Sequence, residues 1–225
     1  PHPVYSQNSE MILNLIKSRR SIRQYKKENL DSAVMNKLKD MLKYVPTGCN
    51  YHQLRFSITE SVEVTDELRT YVNEKLKKIL SSAPGRAIAD KFAAYKDVIM
   101  AGEDIIFRDA PHIIVASNSI KAPCTREDVV IALSYFELYA ASLGVGTCWC
   151  GYAQAVLKTF PEICDFLKID DGFQPGYVML FGPKNVDYQR TIQPEAVVIN
   201  MINSKSVDDI SAGQKLKRYF WNFVR

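Results

Sequence analysis

The spacing of apolar residues divides the chain into helical and extended segments. A repeat of three or four positions, typical of helices with one buried face, is found in residues 9–16, 34–45, 68–80 and 129–143. Short apolar runs with β-branched residues, typical of strands, are found in residues 56–59, 112–116, 145–149 and 176–182. These helices and strands do not alternate regularly, so we predict an α+β fold rather than a doubly wound sheet.

Two further segments have a less regular helical pattern. Residues 153–168 predict one or two helices interrupted at Pro161. Residues 86–108 predict a helical segment with several aromatic side chains, and we expect this segment to cover a ligand. No internal repeat or low-complexity linker is present, so we predict a single domain over residues 1–225.

The composition is that of an ordinary globular protein. Of the 225 residues, 47% are hydrophobic and 24% are charged, which argues against disorder. The formal net charge of +4 is small for a nucleic-acid-binding domain, so a local anion site fits the sequence better. No cationic leader opens the chain, and no apolar run reaches the roughly 18 residues of a membrane span. We therefore expect a soluble, cytoplasmic protein.

The five cysteines form an odd set without a CxxC motif. This favours reduced thiols over a disulfide framework, a zinc site or an iron–sulfur cluster. Cys148 and Cys150 share one face of a predicted strand, but two sulfurs alone make a poor metal site. His2, His52 and His112 offer no evident partner for a nucleophilic cysteine, so we predict neither a metal site nor a catalytic thiol.

The first candidate binding motif is KSRRSIRQY at residues 17–25. The guanidiniums of Arg19, Arg20 and Arg23 and the hydroxyl of Ser21 are donors suited to a phosphate or to the carbonyl edge of a heterocycle. The alternative is a solvated cationic helix end that interacts favourably with the helix dipole. Spacing alone does not decide between these two interpretations.

The second candidate motif is PTGCNYHQLRF at residues 46–56, a turn between a predicted helix and a predicted strand. The side-chain amides of Asn50 and Gln53 offer both donors and acceptors to a ring such as a flavin. The alternative is ordinary turn chemistry, because proline, glycine and asparagine are common turn residues.

The third candidate motif is LGVGTCWCGY at residues 143–152. Its glycines do not form a dinucleotide-binding loop, because such a loop follows a strand and opens a helix, whereas this stretch ends a predicted helix and begins a predicted strand. Gly151 instead allows the backbone to approach a flat ligand, with neighbouring peptide N–H groups as donors.

The fourth candidate motif is FGPKNVDYQRTIQP at residues 181–194. A predicted strand ends at Gly182-Pro183, and Lys184 and Arg190 follow in a loop. These two cations either complete a phosphate clamp begun by Arg19 and Arg23 or are ordinary exposed loop residues.

Together and in this order, the four motifs resemble those of the FMN-dependent nitroreductase family, over Arg19 to Pro194. Within the family, PTGCN and GTCWCG are most similar to the flavin domain of the ferredoxin-fused branch, which makes residues 1–9 a possible linker remnant. The resemblance implies a central mixed, mainly antiparallel sheet flanked by helices. It also implies an intertwined homodimer with two FMN sites built from both subunits.

The resemblance also implies roles for particular residues. Arg19 would bind the phosphate and ribityl tail, Arg23 the pyrimidine edge of the ring, and Arg190 the phosphate from late in the chain. Lys184 would replace a second basic residue of the family, whose usual place is taken here by Tyr188-Gln189. The full set of expected FMN-binding residues is Arg19, Arg20, Ser21, Arg23, Asn50, Gln53, Cys150, Gly151, Lys184 and Arg190.

The activity that the resemblance implies is ping-pong reduction of nitroaromatics, quinones or similar acceptors. The donor would be NAD(P)H or a ferredoxin-type protein, and FMN itself would carry the chemistry without a catalytic side chain. Alternatives on the same fold are flavin destruction and dehalogenation.

The last eleven residues, KLKRYFWNFVR, leave one alternative from another class of function. Cations interleaved with aromatic residues can stack on unpaired bases, as in single-strand-binding proteins. The same pattern suits an arm over residues 200–225 that lies on the partner subunit with its aromatic side chains buried, and we favour this arm over nucleic-acid binding.

Overall fold

The computed structural model describes residues 9–82, 87–191 and 193–202. The described residues up to 191 belong to one compact unit, and residues 193–202 belong to a second unit. Residues 193–202 are exposed and form no helix or strand. Of the expected linker remnant only Ser9 is described, and of the expected arm only residues 200–202 are described.

Eight α-helices are present in the described residues. Their bounds are α1 Ser9–Ser18, α2 Ser32–Met41, α3 Val62–Ser82, α4 Ala87–Phe92, α5 Lys96–Met100, α6 Thr125–Ser142, α7 Gly151–Thr159 and α8 Glu162–Phe166. Asp31 caps the start of α2, because its carboxylate accepts hydrogen bonds from the N–H groups of Ala33 and Val34. No helix in the described part of the chain is long and apolar enough to cross a membrane.

Four strands form one sheet in the order β1-β2-β4-β3, and each neighbouring pair is antiparallel. Their bounds are β1 Arg55–Ile58, β2 His112–Ser119, β3 Val145–Trp149 and β4 Phe173–Pro183. A parallel bridge joins Ser21 to Thr147 at the β3 edge. The predicted α+β fold with a mainly antiparallel sheet is therefore confirmed.

The core lies on both faces of this sheet. All eight residues of β2 are buried. Ile113 and Val115 pack with residues of α3, α4, α5, α7 and α8, whereas Ile114 and Ala116 pack with residues of α2 and α6. Burial on both faces explains why β2 appears in the sequence as a continuous apolar run.

The cationic motif lies along the β3 edge of the sheet. A Cβ atom at Gly146 would lie 2.8 Å from Cγ2 of Ile22, so only glycine allows this close approach. The Ile22 N–H donates to the Thr147 carbonyl at 2.8 Å, and the Lys26 N–H donates to the Pro183 carbonyl at 2.9 Å. Residues 21–26 are therefore fixed against the ends of β3 and β4.

The helical segment predicted over residues 86–108 is shorter than expected. It ends with α5 at Met100, and residues 101–111 form an irregular loop. The Asp104 carboxylate accepts hydrogen bonds from the N–H groups of Ile106, Phe107 and Asp109, which satisfies these donors without a helix. The prediction of helix over residues 101–108 was therefore wrong.

Candidate functional site

A cavity of about 240 Å³ lies where the cationic motif meets the turn before β3 and the loop after β4. Its lining includes the three cations Arg19, Arg20 and Lys184, together with Gly146, Thr147 and Tyr188. Three cationic side chains around one small cavity favour an anionic ligand group, such as a phosphate.

Arg19 is held in this cavity by a buried carboxylate. The Nη1 group of Arg19 donates to Oε1 of Glu137 on α6 at 2.9 Å. Oε2 of the same carboxylate accepts a hydrogen bond from Nε1 of Trp149 at 3.1 Å. Glu137 is thus satisfied on both oxygens, as the burial of a charged side chain requires.

The other two cations of the cavity have different neighbours. The Arg20 guanidinium lies over the Tyr188 ring, 4.8 Å from its centroid. Lys184 forms an ion pair with Asp187, which partly offsets its charge. Among the described residues Arg20 has no carboxylate partner, so its charge is the one most available to an anion.

A second cationic group, formed by Arg23 and Arg108, lies beside Cys148 and Tyr25. Burial raises the pKa of the Cys148 thiol, while the nearby guanidiniums of Arg23 and Arg108 lower it. Burial also raises the pKa of Tyr25, and the same two guanidiniums act in the opposite direction. Within the described ranges neither Arg23 nor Arg108 forms an ion pair. Both charges are therefore available to an electron-rich ligand.

Arg108 is presented by a strained loop. Arg108 and Asp109 have φ angles of 51° and 54°, in the left-handed region that non-glycine residues rarely adopt. Asp104 holds this loop through three backbone N–H groups, and Nε of Arg69 donates to Asp104 at 2.6 Å. Strain maintained by a largely buried ion pair is typical of functional loops.

Cys150 serves as the N-cap of α7. Its N–H donates to the Val178 carbonyl at 2.9 Å, and its Sγ accepts from the Ala153 N–H at 3.3 Å. Burial raises the pKa of its thiol to about 11, which makes a thiolate nucleophile unfavourable. The Gly151 N–H opens α7, where helix geometry provides no acceptor, so this group is the backbone donor available to a ligand.

Two tyrosines border this second group. The Tyr152 hydroxyl donates to the Tyr95 hydroxyl at 3.1 Å, and the Tyr152 ring packs edge-on against Phe92 with centroids 5.2 Å apart. Phe107 belongs to residues 86–108, the segment expected to cover a ligand, but it is fully buried in the core. Tyr95 is exposed and Tyr152 is partly buried, so a ligand beside Gly151 can reach both rings.

The PTGCN loop is attached to the opposite end of α6 from Arg19. Oδ1 of Asp128 in the first turns of α6 accepts from the Gly48 N–H at 2.7 Å, whereas Arg19 contacts Glu137 further along. The rise of an α-helix separates Asp128 and Glu137 by about 13 Å. The side chains of Asn50 and Gln53 are exposed and do not line the cavity.

The remaining expected residues lie near the cavity without lining it. Ser21 is half-buried in the parallel bridge to Thr147. Arg190 is exposed in the loop after β4 and is absent from the cavity lining. The structure thus brings together Arg19, Arg20 and Lys184 at one place and Arg23 near Cys148 at another.

Sequence reasoning missed four residues that shape these sites: Asp104, Arg108, Asp128 and Glu137. Each acts through a partner distant in sequence or through loop geometry. The sole sequence signal was a charged residue in an unexpected place, such as Glu137 inside the most apolar helix. In the described part of the chain, no three His, Cys, Asp or Glu side chains are arranged to hold a metal ion.

The amino-acid sequence is similar to proteins of known function. A sequence model of the nitroreductase family matches residues 16–183. Iodotyrosine deiodinase from Thermotoga neapolitana is 23% identical over 141 residues, which are 61% of this chain and 72% of that protein.

Solved structures show the same fold. A nitroreductase with bound FMN from Bacteroides fragilis superposes with a TM-score of 0.66 at 20% identity, covering 84% of this chain and 98% of that one. A nitroreductase with bound FMN from Desulfitobacterium hafniense gives a TM-score of 0.62 at 20% identity, covering 89% and 96%. Because the family match spans most of the chain, this protein belongs to the nitroreductase family.

Proposed function

We propose that this protein is an FMN-dependent oxidoreductase that reduces nitroaromatic, quinone-like or similar acceptors with electrons from NAD(P)H. The observation that carries the proposal is the parallel course of two backbone segments at the β3 edge. One segment leads from Arg19 to Arg23, and the other leads from Thr147 to Gly151. Together they offer cations at one end and a free peptide N–H at the other.

The donor set fits FMN at both ends. Arg19, Arg20 and Lys184 surround a cavity that accepts a phosphate. An extended chain rises about 3.3 Å per residue, so Arg23 lies about 13 Å from Arg19, beyond the phosphate end. There Arg23 and Arg108 would face the electron-rich pyrimidine edge of the ring, with the Gly151 N–H directed at N5. Arg190 would close on the phosphate, and Ser21 would bind the ribityl chain.

FMN, when bound, supplies the capacity to accept and release a hydride. Arg23 and Arg108 place positive charge where negative charge develops during reduction, which favours the reduced state. The Gly151 N–H would orient the ring, and Tyr95 and Tyr152 would shield one side of it from water. Buried thiols with raised pKa values play no covalent part. Donor and acceptor would therefore use the same space in turn.

We further propose that a second copy of the chain completes each site. Asn50 and Gln53 are attached near Asp128 rather than near the cavity, so one chain alone leaves them apart from Arg19. In an intertwined homodimer, the PTGCN loop of one subunit would meet the Arg19 segment of the other. Two equivalent FMN sites would result.

Reductive dehalogenation is the second candidate activity. The similarity to iodotyrosine deiodinase supports it, because that enzyme's name describes removal of iodine from a phenol. A solved iodotyrosine deiodinase bound to FMN and 3-iodo-L-tyrosine also shares the fold, with a TM-score of 0.60. Both activities require the same flavin site and differ in what lies above the ring.

An absorbance spectrum of the purified protein mixed with FMN, before and after gel filtration, tests cofactor binding. Anaerobic addition of NADH, NADPH or a reduced ferredoxin then identifies the donor by bleaching of the flavin band. Reoxidation by a nitroaromatic, a quinone or 3-iodotyrosine separates the two candidate activities. Arg23→Gln should slow bleaching, and Arg126→Gln, an exposed arginine on α6, is the matched control. A protein that retains no flavin contradicts the proposal.

A further inference from the structure

Glu137 occupies a place where the fold favours an apolar residue. It lies on α6 between the buried residues Leu133, Phe136 and Ala140, which pack on the sheet. A carboxylate at such a position is unfavourable unless its oxygens are paired. The two oxygens of Glu137 accept hydrogen bonds from Arg19 and Trp149, and these two contacts offset the cost of burying the carboxylate.

The contact with Arg19 fixes a side chain that would otherwise be free to move. Arg19 follows α1 directly, and 25% of its side chain is exposed. An unrestrained arginine loses several rotatable bonds when it binds an anion. The pair with Glu137 restricts this freedom in advance and leaves the other guanidinium N–H groups for a ligand.

The contact with Trp149 extends the same restraint towards Gly151. The Trp149 ring packs edge-on against Tyr177, with centroids 5.2 Å apart. The Tyr177 hydroxyl lies 3.4 Å from the position that a Cβ atom of Gly151 would occupy. One carboxylate therefore fixes Arg19 at the phosphate end and braces the residues beside Gly151.

We infer that Glu137 is a positioning residue that orients Arg19 for the phosphate group of the cofactor; this inference rests on the proposed function. Its negative charge lowers the net charge of the cavity, so its contribution is orientation rather than attraction. The inference predicts that loss of the Glu137 contact weakens the binding of the phosphate specifically. Binding of the ring system should be much less affected.

The test compares FMN with riboflavin, which has the same ring and ribityl chain but no phosphate. Dissociation constants of both flavins are measured by quenching of flavin fluorescence in apo-protein of the full chain. In the wild type, FMN should bind more tightly than riboflavin. Glu137→Gln should weaken FMN about tenfold, as expected for a lost charge-assisted contact, and change riboflavin by less than about twofold.

Three further variants make the result specific. Glu137→Asp keeps the negative charge, but its shorter side chain moves the carboxylate away from Arg19. It should therefore also reduce the preference for FMN over riboflavin. Glu127→Gln removes an exposed carboxylate of the same helix and should leave both constants unchanged. Arg19→Gln should abolish the effect of Glu137→Gln when the two are combined, because no guanidinium remains to be oriented.

The outcomes separate the inference from the proposed function. Equal weakening of FMN and riboflavin in Glu137→Gln, or no weakening of FMN, overturns the inference and leaves FMN binding intact. Absence of FMN binding in the wild type overturns the proposed function itself. Circular dichroism and melting temperature of each apo-variant identify loss of folding. If Glu137→Gln does not fold, the dissociation constants of FMN and riboflavin for Glu137→Asp provide the test.

Discussion

Oδ1 of Asp128 accepts a hydrogen bond from the Gly48 N–H at 2.7 Å and thereby fixes the PTGCN loop to the start of α6. Oδ2 of the same carboxylate accepts from Nδ2 of Asn118 at 3.1 Å. Cys49 and Asn50 in this loop, and His52 just after it, have positive φ angles, so the loop conformation depends on such external contacts. Asp128 is thus the link between the core and the second candidate motif.

Asp128→Ala should therefore lower the free energy of unfolding by about 2–4 kcal/mol, because it leaves the Gly48 and Asn118 donors unpaired in a buried site. It should also weaken FMN binding, because this loop positions Asn50 and Gln53, which we propose as FMN ligands. Urea denaturation and flavin titration measure the two effects. The neighbouring exposed Glu127→Ala serves as the control, and a stability loss equal to that control would refute the role of Asp128.

Replacement of Asp104 should disturb the loop that presents Arg108. Asp104→Ala removes the acceptor for three backbone N–H groups and for Nε of Arg69, which predicts a loss of about 2–4 kcal/mol in unfolding free energy. It should also slow flavin reduction, because Arg108 loses its position. Asp109→Asn changes an exposed carboxylate of the same loop and should have little effect on either measurement. Normal stability in Asp104→Ala would show that the loop is held by other contacts.

The buried His112 predicts a loss of stability in mild acid. Burial lowers the pKa of His112, and its Nε2 accepts a hydrogen bond from the Leu30 N–H at 3.1 Å, which a protonated ring cannot do. Because the unfolded chain binds the proton more readily, stability from this residue is full above about pH 6.5 and declines as the pH falls towards the folded pKa. Each pH unit costs at most about 1.4 kcal/mol in that range.

Urea unfolding at pH 7.5, 6.5 and 5.5 measures this dependence. His112→Gln should be less stable at pH 7.5 but should show a shallower decline below pH 6.5 than the wild type. His52→Gln, at an exposed position, is the control and should follow the wild-type curve. An unchanged slope in His112→Gln would assign the acid sensitivity to other groups.

Cys150 should behave as a structural cap rather than as a nucleophile. Cys150→Ser keeps an N-cap acceptor for the Ala153 N–H, so we expect turnover within about threefold of the wild type. Alkylation by iodoacetamide at pH 8, followed by mass spectrometry, should label the exposed Cys49 first and the buried Cys148 and Cys150 last. Complete loss of turnover in Cys150→Ser, or early labelling of Cys150, would indicate a reactive thiol.

The sequence predicted the fold well because the fold depends on local patterns. The apolar run of β2, the stripe of α2 with its Asp31 cap and the apolar α6 are each visible in a short window. The loop over residues 101–111 was not predicted. The Asp104 side chain accepts the hydrogen bonds that helix carbonyl groups would otherwise accept, and the spacing of apolar residues carries no information about such side-chain contacts.

The candidate site could be predicted only in part. Arg19, Arg20 and Arg23 are adjacent in sequence, so their clustering was evident before the fold was known. Glu137 and Arg108 are single residues whose relation to that cluster depends on the packing of α6 and on a strained loop. That Arg190 reaches the same ligand from the loop after β4, and that Asn50 and Gln53 reach it from a second subunit, stay predictions, because no short sequence pattern encodes either approach.

A crystal structure of the protein with FMN tests the central claim most directly. We predict the phosphate between Arg19, Arg20 and Lys184, the pyrimidine edge beside Arg23 and Arg108, and N5 within hydrogen-bonding distance of the Gly151 N–H. Asn50 and Gln53 of a second subunit should contact the same FMN molecule. Electron density for FMN elsewhere on the protein, with the Arg19 cavity and Gly151 uncontacted, would contradict the account.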